Sequence, residues 1–270
     1  MSPATLRLER DGAVLVVELN RPAKANAMEE AMWHELRDAM HEADRDDTVR
    51  VVVIRGAGKH FTAGIDLAML GSIAAQIRHE DGARSREKLR RLILDLQDTL
   101  SSIEQCRKPV IAAIHGACVG GGIDLITACD LRYCSADAKF SVKEIDVGMT
   151  ADVGTLQRLP RLIGEGMARE LAYTGRMVDG AEAQQMRLVN RCYETPEALH
   201  AAVAELAAGI AAKSPLAIRG CKEMITYARD HSVADGLNYI ATWNAAMLLS
   251  ADLEEAGRAA REKRPPRFVD

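Results

Sequence analysis

A chain of 270 residues that is 48% hydrophobic but only 4% aromatic can bury one large aliphatic core. It fits one α/β domain, or one domain with a helical appendage, better than a β-sandwich. A formal net charge of -4 and a pI near 6.0 argue against a dedicated nucleic-acid binder, and no apolar run approaches the ~20 residues of a membrane span.

Six cysteines, Cys106, Cys118, Cys129, Cys134, Cys192 and Cys221, form no CxxC pair and no metal-ligand spacing. They read mostly as small buried hydrophobes of a reducing compartment. Arg7, Glu9, Arg10 and Asp11 interrupt any signal-like run, and the terminal PPRFVD is not a peroxisomal address, so a cytoplasmic setting is expected.

In chain order, AVLVVELN (residues 13–20) is a β-rich run ended by Arg21-Pro22. Asn26 with Glu29 has the spacing of a capping box, and Met28, Met32, Leu36, Met40 and Ala43 then mark one helix face. RVVVIRG (50–56) is too continuously apolar to be exposed on one side. Strand, helix and buried strand predict a right-handed crossover. GAGKHFTAGIDL (56–67) is a glycine-punctuated loop but not a phosphate-binding loop, because Val53 stands where its first glycine would be.

Residues 67–83 have no clean period and read as a mobile segment near a pocket. Ser85 is placed to cap a helix whose stripe is Leu89, Leu92, Ile93, Leu96, Leu100 and Ile103, with RSREKLRR as its solvated face. KPVIAAIHG (108–116) predicts a third buried strand, IDLITACD a short helix, and LRYCSA and KFSV two strands. Asp152 is positioned to cap VGTLQRL, which Pro160 interrupts. Another helix ends near Gly175, Asp179 caps the next through Arg187, and residues 189–192 form a last strand.

Thr195-Pro196 and Ser214-Pro215 each pair a cap with proline at the first helical position. From there to Lys263 only helical signals occur. The chain therefore divides into a core of residues 1–195 and a helical region of 196–270, of the kind that serves packing or subunit contact. No repeat of fixed period appears beyond a loose strand-strand-helix recurrence.

Two glycine turns, at Gly64 and at Gly120 to Gly122, offer backbone N–H groups that a ligand can approach closely. Two such groups converging would form an oxyanion hole for a thioester enolate. Asp124 follows the second turn, and Glu144, Asp146 and Asp152 lie within nine residues of one another among Val, Ile, Met and Gly. Acids in an apolar pocket are driven apart in pKa, which suits moving a proton between carbons. The plainer alternative makes Asp124 and Asp152 helix caps and the other two surface acids; the residues alone leave both open. Asp146 is taken as structural, His115 as a satisfied core histidine, and Asp130-Leu131-Arg132 as an ion pair at a helix end.

With these segments assembled, the chain resembles the crotonase (enoyl-CoA hydratase/isomerase) superfamily. NRPAKANAM, GAGKHFTAGIDL, KPVIAAIHGACVGGGIDL and DLRYCSADAKFSVKEIDVGMTADVGTLQRLP fall in the family's order and spacing, and SPLAIRGCKEMI and HSVADGLNYIATWNAAML extend the likeness over nearly the whole chain. The resemblance implies an α/β spiral of ββα repeats whose C-terminal helices pack homotrimers, often paired as hexamers. It implies an acyl-CoA thioester held by the N–H groups of Ile65 and Gly121. Ala63, Gly64, Ile65, Asp66 and Leu67 would line the CoA site, with Lys24 near the nucleotide phosphates.

Hydratases of the family carry glutamates where this chain has Asp124 and Glu144, and a small neutral residue where it has Asp152. Asp124, Glu144 and Asp152 together look like the Δ3,5-Δ2,4-dienoyl-CoA isomerase branch. In that reading Glu144 is the base at C2, Asp152 the acid at C6, and Asp124 hydrogen-bonds and tunes Glu144; the directions at C2 and C6 are open to reversal. No metal or redox cofactor is implied, coenzyme A being part of the substrate, and no nucleic acid or membrane partner. The competing readings are a 2-enoyl-CoA hydratase, or other crotonase-type acyl-CoA enzyme, and a non-catalytic acyl-CoA- or RNA-binding scaffold. The lack of an organelle signal favours a bacterial-type cytoplasmic enzyme.

Overall fold

Alternation along two buried strands explains how the chain is layered. In a computed structural model, which describes residues 5–270, the chain opens with β1 (Leu6–Asp11), β2 (Val14–Leu19), α1 (Glu30–Arg45) and β3 (Val51–Gly56). After α2 (Leu67–Gln76) and α3 (Gly82–Gln105) come β4 (Val110–Ile114), β5 (Ala117–Val119), α4 (Gly121–Ala128), β6 (Leu131–Ser135) and β7 (Lys139–Ser141). Then follow α5 (Thr155–Ile163), α6 (Glu165–Thr174), β8 (Val178–Asp179), α7 (Gly180–Gln185) and β9 (Arg191–Tyr193). The last elements are α8 (Pro196–Ala211), α9 (Pro215–Ala228), α10 (Val233–Met247) and α11 (Ala251–Glu262).

Six strands form the main sheet in the order β1-β2-β3-β4-β6-β9, parallel throughout except for β1 against β2. Successive strand side chains point to opposite faces. Val52, Ile54, Val110, Ala112 and Ile114 therefore enter the main core with Trp33, Leu36 and Met40 of α1 and Leu100 and Ile103 of α3. Val51, Val53, Ile111 and Ala113 face the other way, onto Leu199, Val203, Ala207 and Ala211 of α8. Both faces are covered, as the unbroken apolar strands require. α8, the first helix of the 196–270 region, is thus part of the sheet's own packing, and α9, α10 and α11 lie beyond it. A smaller sheet has the order β5-β7-β8.

Several sequence expectations change here, mostly because a distant group takes the place of a local one. The charged run LRLERD, read only as interrupting a signal peptide, is edge strand β1. Its charges suit an exposed edge, and Arg55 links Glu9 (3.1 Å) and Glu18 (2.8 Å) across the strands. Asn26 makes no capping box: its side chain accepts from the Arg21 N–H and donates to the carbonyls of Ala57 and His60 (2.7 Å), tying two loops together. Glu29 is itself the residue before α1 and pairs with Arg21. Residues 67–83, expected to be mobile, contain α2, capped by Asp66, and the start of α3, capped by Asp81 rather than Ser85. Pro160 lies inside α5 instead of ending it. Asp130 pairs with Lys222 of α9 at 2.7 Å, while Arg132 donates to the Cys129 and Leu188 carbonyls.

Candidate active site

Two loops cross at the mouth of the core. The first is pinned where Met28 N–H donates to Gly64 O (2.8 Å) and Asp66 N–H donates to Met28 O (3.0 Å). The second enters α4 through Gly120, whose N–H donates to Ser141 O at 3.0 Å. Gly64 has φ +86°, and a Cβ there would stand 2.6 Å from Val119 O and 3.1 Å from Gly121 N. Glycine is therefore required for the approach. From the other side, a Cβ on Gly121 would lie 3.6 Å from Ile65 N. The amides of Ile65 and Gly121 are brought side by side, and among the described residues neither donates to a protein acceptor. The Trp33 ring packs under this turn and donates through Nε1 to Met28 O.

Next to these amides lie the acids. Asp124, in the first turn of α4, is fully buried. Its Oδ1 accepts from Thr155 N–H at 2.6 Å, and its Oδ2 has no partner. Burial raises its pKa to about 6, with the Asp152 charge adding to the rise, while Thr155 and Arg158 pull the other way. Glu144 opens a 3-10 turn, Glu144–Val147, and its Oε1 would lie 3.4 Å from a Cβ on Gly120. Its Oε2 is buried without a partner. Burial first, then the neighbouring Asp124 and Asp152 charges, raise its pKa to about 7. Asp152 is half-buried, its carboxyl also pushed up by desolvation. It caps nothing: α5 starts at Thr155 behind Gly154, and the Asp152 carbonyl accepts from Gln97 Nε2 at 2.6 Å.

Asp124, Glu144, Asp152, Ile65 and Gly121 therefore gather in one place. The expected hydrogen bond from Asp124 to Glu144 is absent among the described residues: Asp124 Oδ1 accepts from Thr155 N–H, while Asp124 Oδ2 and Glu144 Oε2 have no partner, and the two acids are coupled by charge instead. Ala63 and Leu67 are exposed along the outer edge of the loop. Asp66 is committed to α2 and to Arg21 at 2.9 Å, which lowers its pKa through the Ala68 N–H first and Arg21 second. Lys24 is exposed close by, its charge felt by Asp66. Asp146 is a surface acid paired with Lys143. His115 is a core residue whose Nε2 donates to Gly58 O, its ring edge-on to His200. Cys118 is fully buried, with its thiol pKa raised by burial. Sequence reasoning passed over Thr155, Gln97, Trp33 and Arg158; only the Gly154-Thr155 helix start carried a local signal.

Chemically, paired N–H groups in a desolvated pocket stabilise charge on an oxygen. Carboxyls held near neutrality can take up or release a proton at physiological pH. Among the described residues no single helix is long and apolar enough to cross a membrane.

The sequence profile described as "Enoyl-CoA hydratase/isomerase" matches residues 9–270. The peroxisomal Δ3,5-Δ2,4-dienoyl-CoA isomerase of Arabidopsis thaliana is 49% identical over 265 residues, covering 98% of this chain and 95% of that protein. The mitochondrial Δ3,5-Δ2,4-dienoyl-CoA isomerase of Homo sapiens is 50% identical over 257 residues, covering 95% of this chain and 78% of that protein. Among solved structures, an enoyl-CoA hydratase from Bacillus anthracis superposes with a TM-score of 0.89 at 31% identity, over 98% of this chain and 99% of that one.

Proposed function

The chain belongs to the enoyl-CoA hydratase/isomerase family, and we propose that within it the protein converts 3,5-dienoyl-CoA to 2,4-dienoyl-CoA. Asp152 carries the reading. Exchange of a proton at one carbon, or addition of one water, is served by Asp124 and Glu144 alone. A third half-buried carboxyl with raised proton affinity serves a second, distant carbon.

In this reading the thioester oxygen accepts from the Ile65 and Gly121 N–H groups. Glu144 lies against Gly120, next to the oxygen-binding amide, so its carboxylate reaches the carbon adjacent to the carbonyl. It removes a proton from C2, and the charge spreads over the thioester oxygen, C2, C4 and C6. Asp152 delivers a proton to C6. One C2–H bond breaks and one C6–H bond forms, while C3=C4 and C5=C6 become C2=C3 and C4=C5. Asp124 keeps the proton affinity of Glu144 high through its charge. These steps are proton transfers that the carboxyls carry without a metal or redox cofactor.

Ala63 to Leu67 would flank the CoA moiety, with Lys24 toward its phosphates. A homotrimer or hexamer is part of the same proposal. Val233 and Leu237 of α10 are 81% and 64% exposed, and Leu249 just beyond it is 92% exposed, a run of apolar surface that subunit contact would cover. Light scattering on the purified protein distinguishes these states from a monomer. We place the enzyme in the cytoplasm; the two isomerases named above are peroxisomal and mitochondrial, and fractionation of the source cells decides this point.

The deciding assay follows the rise in ultraviolet absorbance as 3,5-dienoyl-CoA becomes the conjugated 2,4-dienoyl thioester, with a 2-enoyl-CoA given in parallel. Fast conversion of the first and slow hydration of the second is the expected result. Fast hydration without dienoyl conversion would make the protein a hydratase. Silence on both, with CoA thioesters still bound, would leave a binding scaffold.

A further inference from the structure

We propose that Gln97 is a positioning residue for proton transfer at C6: by donating to the Asp152 main-chain carbonyl, its side chain fixes where the Asp152 carboxyl stands. The proposal rests on the C2-to-C6 reading of the site and adds to it a residue of α3.

The three acids are not held alike. Asp124 sits within α4 and Glu144 within the 3-10 turn, whereas Asp152 lies in an irregular stretch before α5. That stretch is bounded by Gly148 and Gly154, with φ of +75° and +136°. Its two ends are tied to the residues of the other acids. Met149 N–H donates to the Glu144 main-chain carbonyl at 2.9 Å, and Thr155 N–H donates to Asp124 Oδ1 at 2.6 Å. Between them Ala151 and Val153 are buried in the core, which sets the depth of the chain. Gln97 Nε2 supplies the bond in the middle, to Asp152 O at 2.6 Å. Among the described residues no other residue bonds the main chain of residues 150–153 or the Asp152 carboxyl. A carboxyl with no partner outside its own residue takes its direction from the peptide that carries it.

The donor comes from a firm support. Leu100 and Ile103, further along α3, are fully buried, and the Thr99 hydroxyl donates to the Trp33 carbonyl at 3.3 Å. The bond also borders open space. A polar pocket of about 360 Å³ adjoins it, with Gln97, Ser101, Val153, Gly154, Gln157 and Arg158 in its lining. Without the donor, the Asp152 peptide has room to turn toward that pocket. A displacement of about 1 Å at a reacting group costs on the order of a hundredfold in rate. Glu144 and the paired amides are held by other contacts, so the loss falls on delivery to C6 and not on thioester binding.

The test uses the full-length protein with Gln97→Met, which keeps the length of the side chain and removes the donor. Gln97→Ala is the second variant, and melting curves check that each is folded. Conversion of 3,5-dienoyl-CoA should fall roughly ten- to a hundredfold in kcat, with KM within about twofold of the parent. The double variant Q97M/D152N separates positioning from general loosening. It should be no slower than D152N alone, because the carboxyl that Gln97 aims is already gone. Crystal structures of the parent and of Q97M give a readout that needs no substrate. The Asp152 carboxyl should be displaced by about 1 Å or more, with Asp124 and Glu144 in place.

Three results would each overturn the proposal: a Q97M kcat within about threefold of the parent, a Q97M/D152N variant slower than D152N by the full Q97M factor, or an unmoved Asp152 carboxyl in Q97M. A parent protein inactive on dienoyl thioesters would sink the functional reading, while the two structures still decided whether Gln97 aims Asp152.

Discussion

Replacing Asp152 by Asn tests the three-acid site most directly, because it removes one ionisable proton and almost no volume. Among the described residues Asp152 forms no salt bridge, and its side chain caps no helix; its anchoring bond, from Gln97, is to the main-chain carbonyl and survives the change. Its pKa is raised by burial, so the folded protein gains nothing from its charge. Stability should therefore change by no more than about 0.5 kcal/mol, the range of substitutions that break no named interaction. Turnover is another matter. A positioned acid or base contributes about 10²–10⁴-fold, or about 3–5 kcal/mol of barrier at 1.36 kcal/mol per tenfold. D152N should lose that much kcat for 3,5-dienoyl-CoA conversion, measured by absorbance, with an unchanged melting curve. Turnover within threefold of the parent would refute the role of Asp152 at C6 and leave Asp124 and Glu144 as a two-acid site.

Two further outcomes follow from the burial of the site. Asp124 is raised from 3.8 to about 6, so the folded state binds its proton more tightly than the unfolded chain. Its stabilising share is whole below about pH 4 and is lost as pH rises through about 6. At pH 8 the ionised carboxylate then costs about 3 kcal/mol, at 1.36 kcal/mol per pKa unit. D124N, whose amide oxygen can still accept from Thr155, should melt several degrees higher than the parent at pH 8, with the gain shrinking toward pH 5; an equal gain at both pH values would contradict the assigned pKa. Gly64→Ala should lower stability by about 2–4 kcal/mol, since it forces a left-handed φ on alanine and drives its Cβ to 2.6 Å from Val119 O. Because the same clash displaces Gly121, thioester turnover should fall with it; unchanged melting and kcat would mean the two loops are not locked together as described.

How far the chain could be read in advance depended on whether a residue's partner was close in sequence. The buried strands β3 and β4 and the stripe of α1 were legible because period and composition are local properties. Thr195 and Ser214 were legible as caps because each serves the helix that starts beside it. Asp152 failed as a cap for the opposite reason. Its place at α5 is taken by Asp124, thirty-one residues before Thr155, and no window of sequence contains that bond. Asn26 likewise spends its amide on carbonyls more than thirty residues away. The α2 helix was hidden because it is half-exposed, so its apolar residues need not keep to one face. In the site, the carboxyls and glycines could be picked out by type. The groups that hold them in place, the Thr155 main-chain N–H on Asp124 and the Gln97 side chain on the Asp152 main-chain carbonyl, have roles that exist only after folding.

The proposed isomerisation would also set the pocket a matching problem. An isomerisation begins with one carboxyl ionised and another protonated, and ends with those states exchanged. The proton thus moves from the affinity of one group to that of the other. Were Glu144 at about 7 and Asp152 at the model-peptide value of about 3.9, each turnover would leave the proton some three units better bound, about 4 kcal/mol, and returning the site to its starting state would cost that much. Desolvation of Asp152 narrows the gap, and an apolar acyl chain lying over this half-exposed side chain would remove more water and narrow it again. Moderate burial of the third acid therefore serves both halves of the cycle. It raises the affinity of Asp152 for the proton it is proposed to deliver, and it makes the product state of the two carboxyls easier to reset once the chain has left.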